Sequence, residues 1–145
     1  MRVLGLDHGE RRIGVAVSDA TGTIATPHSV IDRRGRDVSE ALRSVIAEYD
    51  VELVVVGLPL QLSGEEGTSA RSARAFADTV AEATGLPVAL QDERFTTVTA
   101  EDALIEGGVR RRERREVRDK VAAAVMLQGY LDSRRREDDD GDRQR

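Results

Sequence analysis

The chain has 145 residues, a net charge of −5, two histidines and no cysteine. This length fits one domain with its own hydrophobic core. The lack of cysteine excludes disulfide bonds, thiolate zinc sites and thiol redox chemistry, so a bound metal needs oxygen or histidine ligands. The longest apolar run, 121–127, is too short to span a membrane, and Asp7 interrupts the first apolar stretch too early for a signal peptide. We therefore expect a cytoplasmic protein without a membrane partner.

Charge is unevenly distributed along the chain. Six arginines lie between 110 and 118, whereas five acidic residues lie between 137 and 142. This pattern suggests a locally basic domain behind an acidic tail, so the negative net charge does not exclude a nucleic-acid partner. We predict a folded domain over 1–133 and a charged, disordered tail over 134–145.

The first elements in chain order are three strands. Alternating apolar residues predict strands over 2–7 and 13–17, which the turn 8–11 joins as a hairpin. A third strand is predicted over 23–31, where Pro27 indicates a bulge or an edge position.

The remaining elements alternate between helices and strands. Apolar periodicity and the glycine and proline breaks predict a helix over 36–49, a buried parallel strand over 53–56, a helix over 68–84, a strand over 87–91, and helices over 97–106 and 116–134. This order indicates an α/β domain in which an antiparallel hairpin is joined to parallel crossovers.

Three carboxylates are predicted to lie near one edge of the sheet. Asp7 ends the first strand, Glu93 follows the last strand, and Asp119 lies in the first turn of the final helix. Open α/β sheets bind their ligands at the carboxyl ends of their strands, so we expect the three groups to converge. Clustered carboxylates repel one another unless one is protonated or a hard cation neutralises them. Mg²⁺ or Mn²⁺ is the expected ion, and a pair of such ions can hydrolyse a phosphodiester without histidine or cysteine.

Each of these residues also has an ordinary structural interpretation. Asp7 could be a turn aspartate, Glu93 could form a surface ion pair with Arg94, and Asp119 could stabilise a helix dipole. His8 could bind metal or phosphate, but a solvated turn histidine is the commoner case.

Basic and hydroxyl side chains are the candidate nucleic-acid contacts. The run 110–115 is predicted as a mobile loop that grips phosphates, or else as a solvated charged surface. The segment from Gly57 to Gly64 could approach a substrate backbone or could be an ordinary turn. With two Phe, two Tyr and no Trp, base stacking is not expected as a main binding mode. The candidate contacts are Arg11, Arg12, Arg94, Thr96, Thr97, Arg110, Arg111, Arg112, Arg114, Arg115 and Lys120.

The chain resembles the YqgF/RuvX family in five motifs that occur in the family's order. They are Gly5-Leu6-Asp7-His8-Gly9, Arg12-Ile13-Gly14-Val15-Ala16-Val17-Ser18-Asp19, Gly57-Leu58-Pro59, Asp92-Glu93-Arg94-Phe95-Thr96-Thr97 and Asp119-Lys120. The resemblance covers residues 1 to about 131. It implies a ribonuclease H-like fold, with a mixed five-stranded sheet flanked by helices. It also implies a nuclease assigned to the 5′ end of pre-16S ribosomal RNA, in a family also described as Holliday junction resolvase-like.

The family's catalytic and metal-binding carboxylates match Asp7, Glu93 and Asp119. The implied partners are nucleic acid, as pre-16S rRNA or branched DNA, and ribosome precursors, with the protein acting as a monomer or a homodimer. Arg11 stands where the family often has lysine. Three carboxylates are fewer than the four of true junction resolvases, so the resemblance supports a nuclease more strongly than a resolvase.

Two other functions compete with a nuclease. Sugar kinases and actin-like ATPases use a similar Asp-X-Gly turn, but they duplicate the domain and this chain has room for only one copy. A non-catalytic protein that binds RNA or the transcription machinery would have the same fold. The acidic triad favours the enzyme over the binding protein.

Overall fold

The computed structural model describes residues 1–35, 37–93 and 111–143, with side chains from 115 to 137 in the last of these ranges. Within them the chain forms five strands and three helices. In chain order these are β1 (Val3–His8), β2 (Arg12–Ser18), β3 (Ala25–Asp32), α1 (Val38–Tyr49), β4 (Leu53–Leu58), α2 (Thr68–Thr84), β5 (Val88–Asp92) and α3 (Arg111–Arg143).

The strands form one mixed sheet in the order β3-β2-β1-β4-β5. The neighbouring pairs β1–β2 and β2–β3 are antiparallel, whereas β1–β4 and β4–β5 are parallel. The order of elements explains this arrangement, because a short turn can only return the chain antiparallel, and α1 and α2 supply the crossovers that parallel strands require. The predicted mixed five-stranded sheet is confirmed.

Pro27 lies on edge strand β3, as predicted. The register between β2 and β3 shifts between Val15 and Ala16, which face Ser29 and Pro27 respectively. The extra residue of this bulge, His28, is accommodated beside the proline, which has no N–H to give to the ladder.

Alternation along the strands divides the core into two layers. Leu4 and Leu6 of β1 lie on the face that α1 and α2 cover, in a cluster that includes Val54, Val56 and Phe76. The opposite face of the sheet packs against α3, and its cluster consists of Val3, Ala16, Val55, Ala123, Ala124, Met126, Leu127 and Leu131. Residues of β1 with odd numbers therefore face α3, and those with even numbers face α1 and α2.

The last helix is longer than the sequence predicts at both ends. The apolar pattern predicts 116–134, whereas α3 extends over Arg111–Arg143. The run 110–115, predicted as a mobile loop, is helical from Arg111, and most of the predicted disordered tail continues the helix. At the first end, arginine and glutamate are good helix formers, so the helix begins before its packed part. At the other end no proline stops the helix, but the four aspartates and Gly141 are poor helix formers, so helix propensity does not explain that extension. Side chains 134–137 are exposed, so this extension adds nothing to the core.

The helix predicted over 97–106 lies outside the described residues. Among the helices of the described ranges, none combines the length and the apolar character that crossing a membrane requires.

Candidate active site

Asp7 lies on the α3 face of the sheet, near the carboxyl end of β1. On one side it pairs with Gly14 of β2. On the other side Gly57 of β4 follows Val56, which is the partner of Leu6. Asp7 is thus flanked on its own face by two residues without side chains, and this leaves space for groups from other elements.

Glu93 occupies the space over Gly57. A Cβ atom added to Gly57 would lie 2.4 Å from the carboxyl carbon of Glu93, which is closer than any real contact. The backbone N–H of Glu93 donates a hydrogen bond of 3.1 Å to the carbonyl of Leu58, which extends the β4–β5 ladder by one residue. Gly57, which is predicted as the start of a turn, lies inside β4 and gives Glu93 access to Asp7.

Asp119 is placed over Gly14 in a similar way. A Cβ atom at Gly14 would lie 2.0 Å from the backbone carbonyl oxygen of Asp119, so the first described turns of α3 rest directly on β2. Gly5 allows a second close approach, since its added Cβ would lie 2.8 Å from Cβ of Leu127. Glycines on this face of the sheet therefore determine how closely α3, and with it Asp119, approaches the strands.

The side chains of Asp7 and Glu93 are hydrogen-bonded to each other. Burial, the charge of Asp7 and this hydrogen bond raise the pKa of Glu93 to about 9. Burial also raises the pKa of Asp7, and the charge of Asp119 raises it further, whereas the hydrogen bond from Glu93 lowers it. At neutral pH the pair therefore holds a proton, with the Glu93 carboxyl as donor and Asp7 as acceptor.

Asp119 is close enough to Asp7 for its charge to act on it, but its carboxylate is engaged elsewhere. Nε of Arg12 donates to Oδ2 of Asp119 at 2.6 Å, and about a quarter of each side chain is exposed. In this arrangement the described residues contain no group of three histidine or carboxylate side chains already arranged around a common metal position. The structure thus brings Asp7 and Glu93 into contact and places Asp119 beside them, paired with Arg12.

A cavity of about 410 Å³ opens beside the acidic pair. Its walls include Asp7, Glu93, Arg33 and hydroxyl side chains at the start of α2, namely Thr68, Ser69 and Ser72. Neither Arg33 nor these hydroxyl residues is among the site residues predicted from the sequence. The predicted start of a helix after Gly67 could have indicated that Thr68, Ser69 and Ser72 lie near the site. Arg33 is far from the motifs in sequence, and it approaches the cavity only because β3 pairs with β2.

Arg33 fastens the turn that follows Asp7. Its Nη1 donates to the carbonyl oxygens of Gly9 at 3.0 Å and Glu10 at 3.4 Å, and its backbone N–H donates to the carbonyl of Arg11 at 3.0 Å. These bonds hold the 9–11 turn at the rim of the cavity.

His8 is not the solvated turn residue that its position suggests. It is the last residue of β1, on the face opposite Asp7, and its ring stacks on Phe76 with the centroids 4.4 Å apart. Its Nε2 is buried without a hydrogen-bond partner among the described residues. Burial and the charge of Arg33 lower the pKa of His8.

The other predicted contacts are only partly covered by the structure. Arg11 and Arg115 are exposed, and Lys120, which directly follows Asp119 in the sequence, is half-buried. The remaining candidates lie outside the described residues or have undescribed side chains: Arg94, Thr96, Thr97, Arg110, Arg111, Arg112 and Arg114.

Two solved structures share this fold. The structure of Thermus thermophilus RuvC in complex with a Holliday junction substrate superposes with a TM-score of 0.55, covering 92% of this chain and 96% of RuvC at 17% identity. A second Thermus thermophilus RuvC structure gives a TM-score of 0.51 over the same shares of the two chains. At this identity the likeness shows the fold, which is ribonuclease H-like as the sequence predicts.

Sequence relatives are much closer. A protein of Anaeromyxobacter sp. (strain Fw109-5) is 50% identical over 135 residues, which cover 92% of this chain and 98% of the relative. One from Myxococcus xanthus (strain DK1622) is 47% identical over 141 residues, 97% of this chain and 93% of the relative. Both carry the name "Putative pre-16S rRNA nuclease". The family model RuvX, described as Holliday junction resolvase, matches residues 1–133. Matched over nearly its whole length, this chain belongs to the RuvX family.

Proposed function

We propose that this protein is a metal-dependent nuclease that hydrolyses phosphodiester bonds at the 5′ end of pre-16S ribosomal RNA. The names of its relatives supply the RNA substrate. The observation that carries the proposal is the hydrogen-bonded pair of Asp7 and Glu93 at the carboxyl edge of the sheet, with Asp119 held nearby over Gly14. Such a substrate agrees with the cytoplasmic location expected from the sequence.

The donor set suits a hard divalent cation. Carboxylate oxygens are the ligands that Mg²⁺ and Mn²⁺ prefer. The buried carboxyl pair holds a proton because two negative charges would repel each other. A cation bound between them would relieve the same repulsion in place of the proton. Asp7 and Glu93 would hold the ion, and Asp119 would join them by turning from Arg12. A bound divalent ion lowers the pKa of water and stabilises the charge on the leaving oxygen.

The chain's own residues have separate tasks in this proposal. With a cation bound, the proton between Glu93 and Asp7 would be lost to solvent, and both carboxylates would serve as ligands. If Asp119 also turned to the cation, the guanidinium of Arg12 would be free to bind a phosphate oxygen with its forked donors. The turn fastened by Arg33 lines one side of the cavity, and the hydroxyl groups of Thr68 and Ser69 line another. We assign contacts with phosphates farther along the RNA strand to Arg94 and to the arginines of 110–115.

The proposal is tested by cleavage of a 5′-extended 16S precursor RNA with Mg²⁺ or Mn²⁺. We expect Asp7→Asn and Glu93→Gln to reduce the cleavage rate by at least about a hundredfold, because each removes a charged ligand. Asp78→Asn is the matched control, since Asp78 is exposed on α2 and lies away from the cavity. Cleavage that survives both site substitutions, or that persists in chelator, would refute the assigned site.

Branched DNA is the second candidate substrate. The family description and the fold shared with a junction-bound RuvC favour it. A four-way DNA junction assayed beside the RNA decides between them, and a homodimer in solution would suit the two-fold junction. If neither substrate is cut while RNA still binds, the protein is a non-catalytic binding protein.

A further inference from the structure

A second cavity of about 400 Å³ lies between α1 and α2, on the face of the sheet that these helices cover. Its floor is apolar, with Leu42, Phe76 and Val80, and its rim carries Ser39 and Thr79. This volume is within the range of about 300–1,000 Å³ that is typical of small-ligand pockets. None of the carboxylates of the acidic site lines it.

The two cavities meet at the carboxyl end of β1. His8, Arg33 and Ser72 line both of them. Asp7 and His8 are consecutive at the end of β1, and the carboxylate lines the first cavity, whereas the imidazole lines both. A ligand bound at Asp7 can therefore reach the second cavity over the end of a single strand.

His8 gives the second cavity a specific polar feature. Its ring lies against Phe76, and its buried Nε2 has no hydrogen-bond partner among the described residues. A buried polar atom without a partner costs free energy, so a ligand that turns the His8 ring until Nε2 faces the cavity, and then hydrogen-bonds to it, would gain affinity. Such a ligand needs a planar apolar body for the floor and a polar edge for Nε2.

We propose that this cavity binds one nucleobase extruded from the strand whose phosphate lies at Asp7 and Glu93. A nucleobase has both the required planar body and the hydrogen-bonding edge. The inference rests on the proposed nuclease function, which supplies nucleic acid as the ligand. The pocket adds contacts with a single base to binding that otherwise depends on the nucleic-acid backbone. The protein therefore selects sites where a base is already unpaired.

The test is an NMR titration of the metal-free protein with the four nucleoside 5′-monophosphates, with ribose 5-phosphate as the ligand that lacks a base. We expect at least one nucleotide to shift the ring resonances of His8 and Phe76, and ribose 5-phosphate to leave them in place. Equal shifts from all five ligands, or no shift at millimolar nucleotide, would overturn the proposal.

Two variants test the pocket without touching the carboxylates. Ala75 is exposed on α2 and lines the cavity, so Ala75→Met fills the pocket and should weaken nucleotide binding at least about fivefold. Ala47→Met is the matched control, because Ala47 is an exposed alanine of α1 that does not line the cavity. His8→Phe keeps a stacked ring and removes Nε2, so it should also weaken binding. Unchanged affinity in both Ala75→Met and His8→Phe would refute the pocket.

These results separate the pocket from the nuclease proposal. Metal-dependent RNA cleavage without base-dependent shifts would leave the nuclease proposal standing and overturn the base pocket. Base-dependent shifts that Ala75→Met abolishes would support the pocket even if pure protein cut neither RNA nor DNA.

Discussion

At the scale of single residues, burying the carboxyl groups of Asp7 and Glu93 side by side costs free energy. A proton held between the two groups reduces this cost. Glu93 has an ordinary pKa of 4.5, which the folded site raises to about 9, and the pKa of Asp7 is raised as well. The folded protein therefore binds more protons than the unfolded chain between these values. By linkage, the pair lowers the stability of the metal-free protein as pH rises.

This linkage predicts the pH dependence of unfolding. In chelator, the free energy of unfolding of wild type minus that of Glu93→Gln should fall as pH rises from 5 to 9, by up to about 1.4 kcal/mol per pH unit. The subtraction removes the contributions of carboxylates elsewhere, such as Asp132, whose pKa is lowered. Denaturant unfolding at a series of pH values measures the difference. A difference that stays constant with pH would show that the proton is not held by this pair.

At the scale of elements, the site depends on how closely α3 approaches the sheet. The backbone of α3 at Asp119 lies directly on β2 only because Gly14 has no Cβ to keep it away. The contact is between two backbones, so no side-chain rotation can relieve it.

Gly14→Ala should therefore displace the first turns of α3. We expect a loss of about 1–3 kcal/mol in stability from overpacking, and a loss of cleavage beyond what unfolding explains, since Asp119 moves with the helix. Gly35→Ala is the control, because nothing lies within 4 Å of its added Cβ. Chemical denaturation and the RNA assay measure the two effects. Full activity in a folded Gly14→Ala protein would contradict the role given to this contact.

The sequence predicts the elements that carry the site better than the contacts between them. Asp7 lies near the end of an alternating strand and Glu93 directly follows the last strand, so their position at the sheet edge is recognisable from local pattern. The Arg12–Asp119 ion pair joins residues 107 positions apart, and no local pattern could indicate it. The orientation of His8 was missed because β1 was predicted to end at Asp7, one residue early. The ends of α3 were missed because its outer turns lack an apolar face.

At the scale of the whole molecule, the charge distribution differs from the prediction of an acidic tail. Residues 134–145 contain five arginines and five acidic residues, so the tail is neutral and the net charge of −5 belongs to residues 1–133. The prediction that the tail masks a basic domain is therefore wrong. Attraction for a polyanion has to come from local arginine clusters, above all 110–118.

Removal of residues 134–145 should consequently change little. We expect the truncated protein to keep its unfolding free energy within about 0.5 kcal/mol, because the described side chains of this segment, 134–137, are exposed. Its RNA affinity should also be unchanged at every salt concentration, since no net charge is lost. Denaturant unfolding and filter binding across a salt series measure both quantities. A marked change in the salt slope would assign the tail a role in RNA binding.

The position of α3 in chain order determines when the enzyme becomes active. The sheet and its first two helices are made from residues up to 92, whereas α3 comes later in the chain, covers the other face and brings Asp119. Domains fold as their residues leave the ribosome, so a nascent chain has the acidic pair but neither its third carboxylate nor the cover of that face. We expect a nascent chain to be inert as a nuclease until α3 docks, so the RNA of the ribosome that makes it is protected until then.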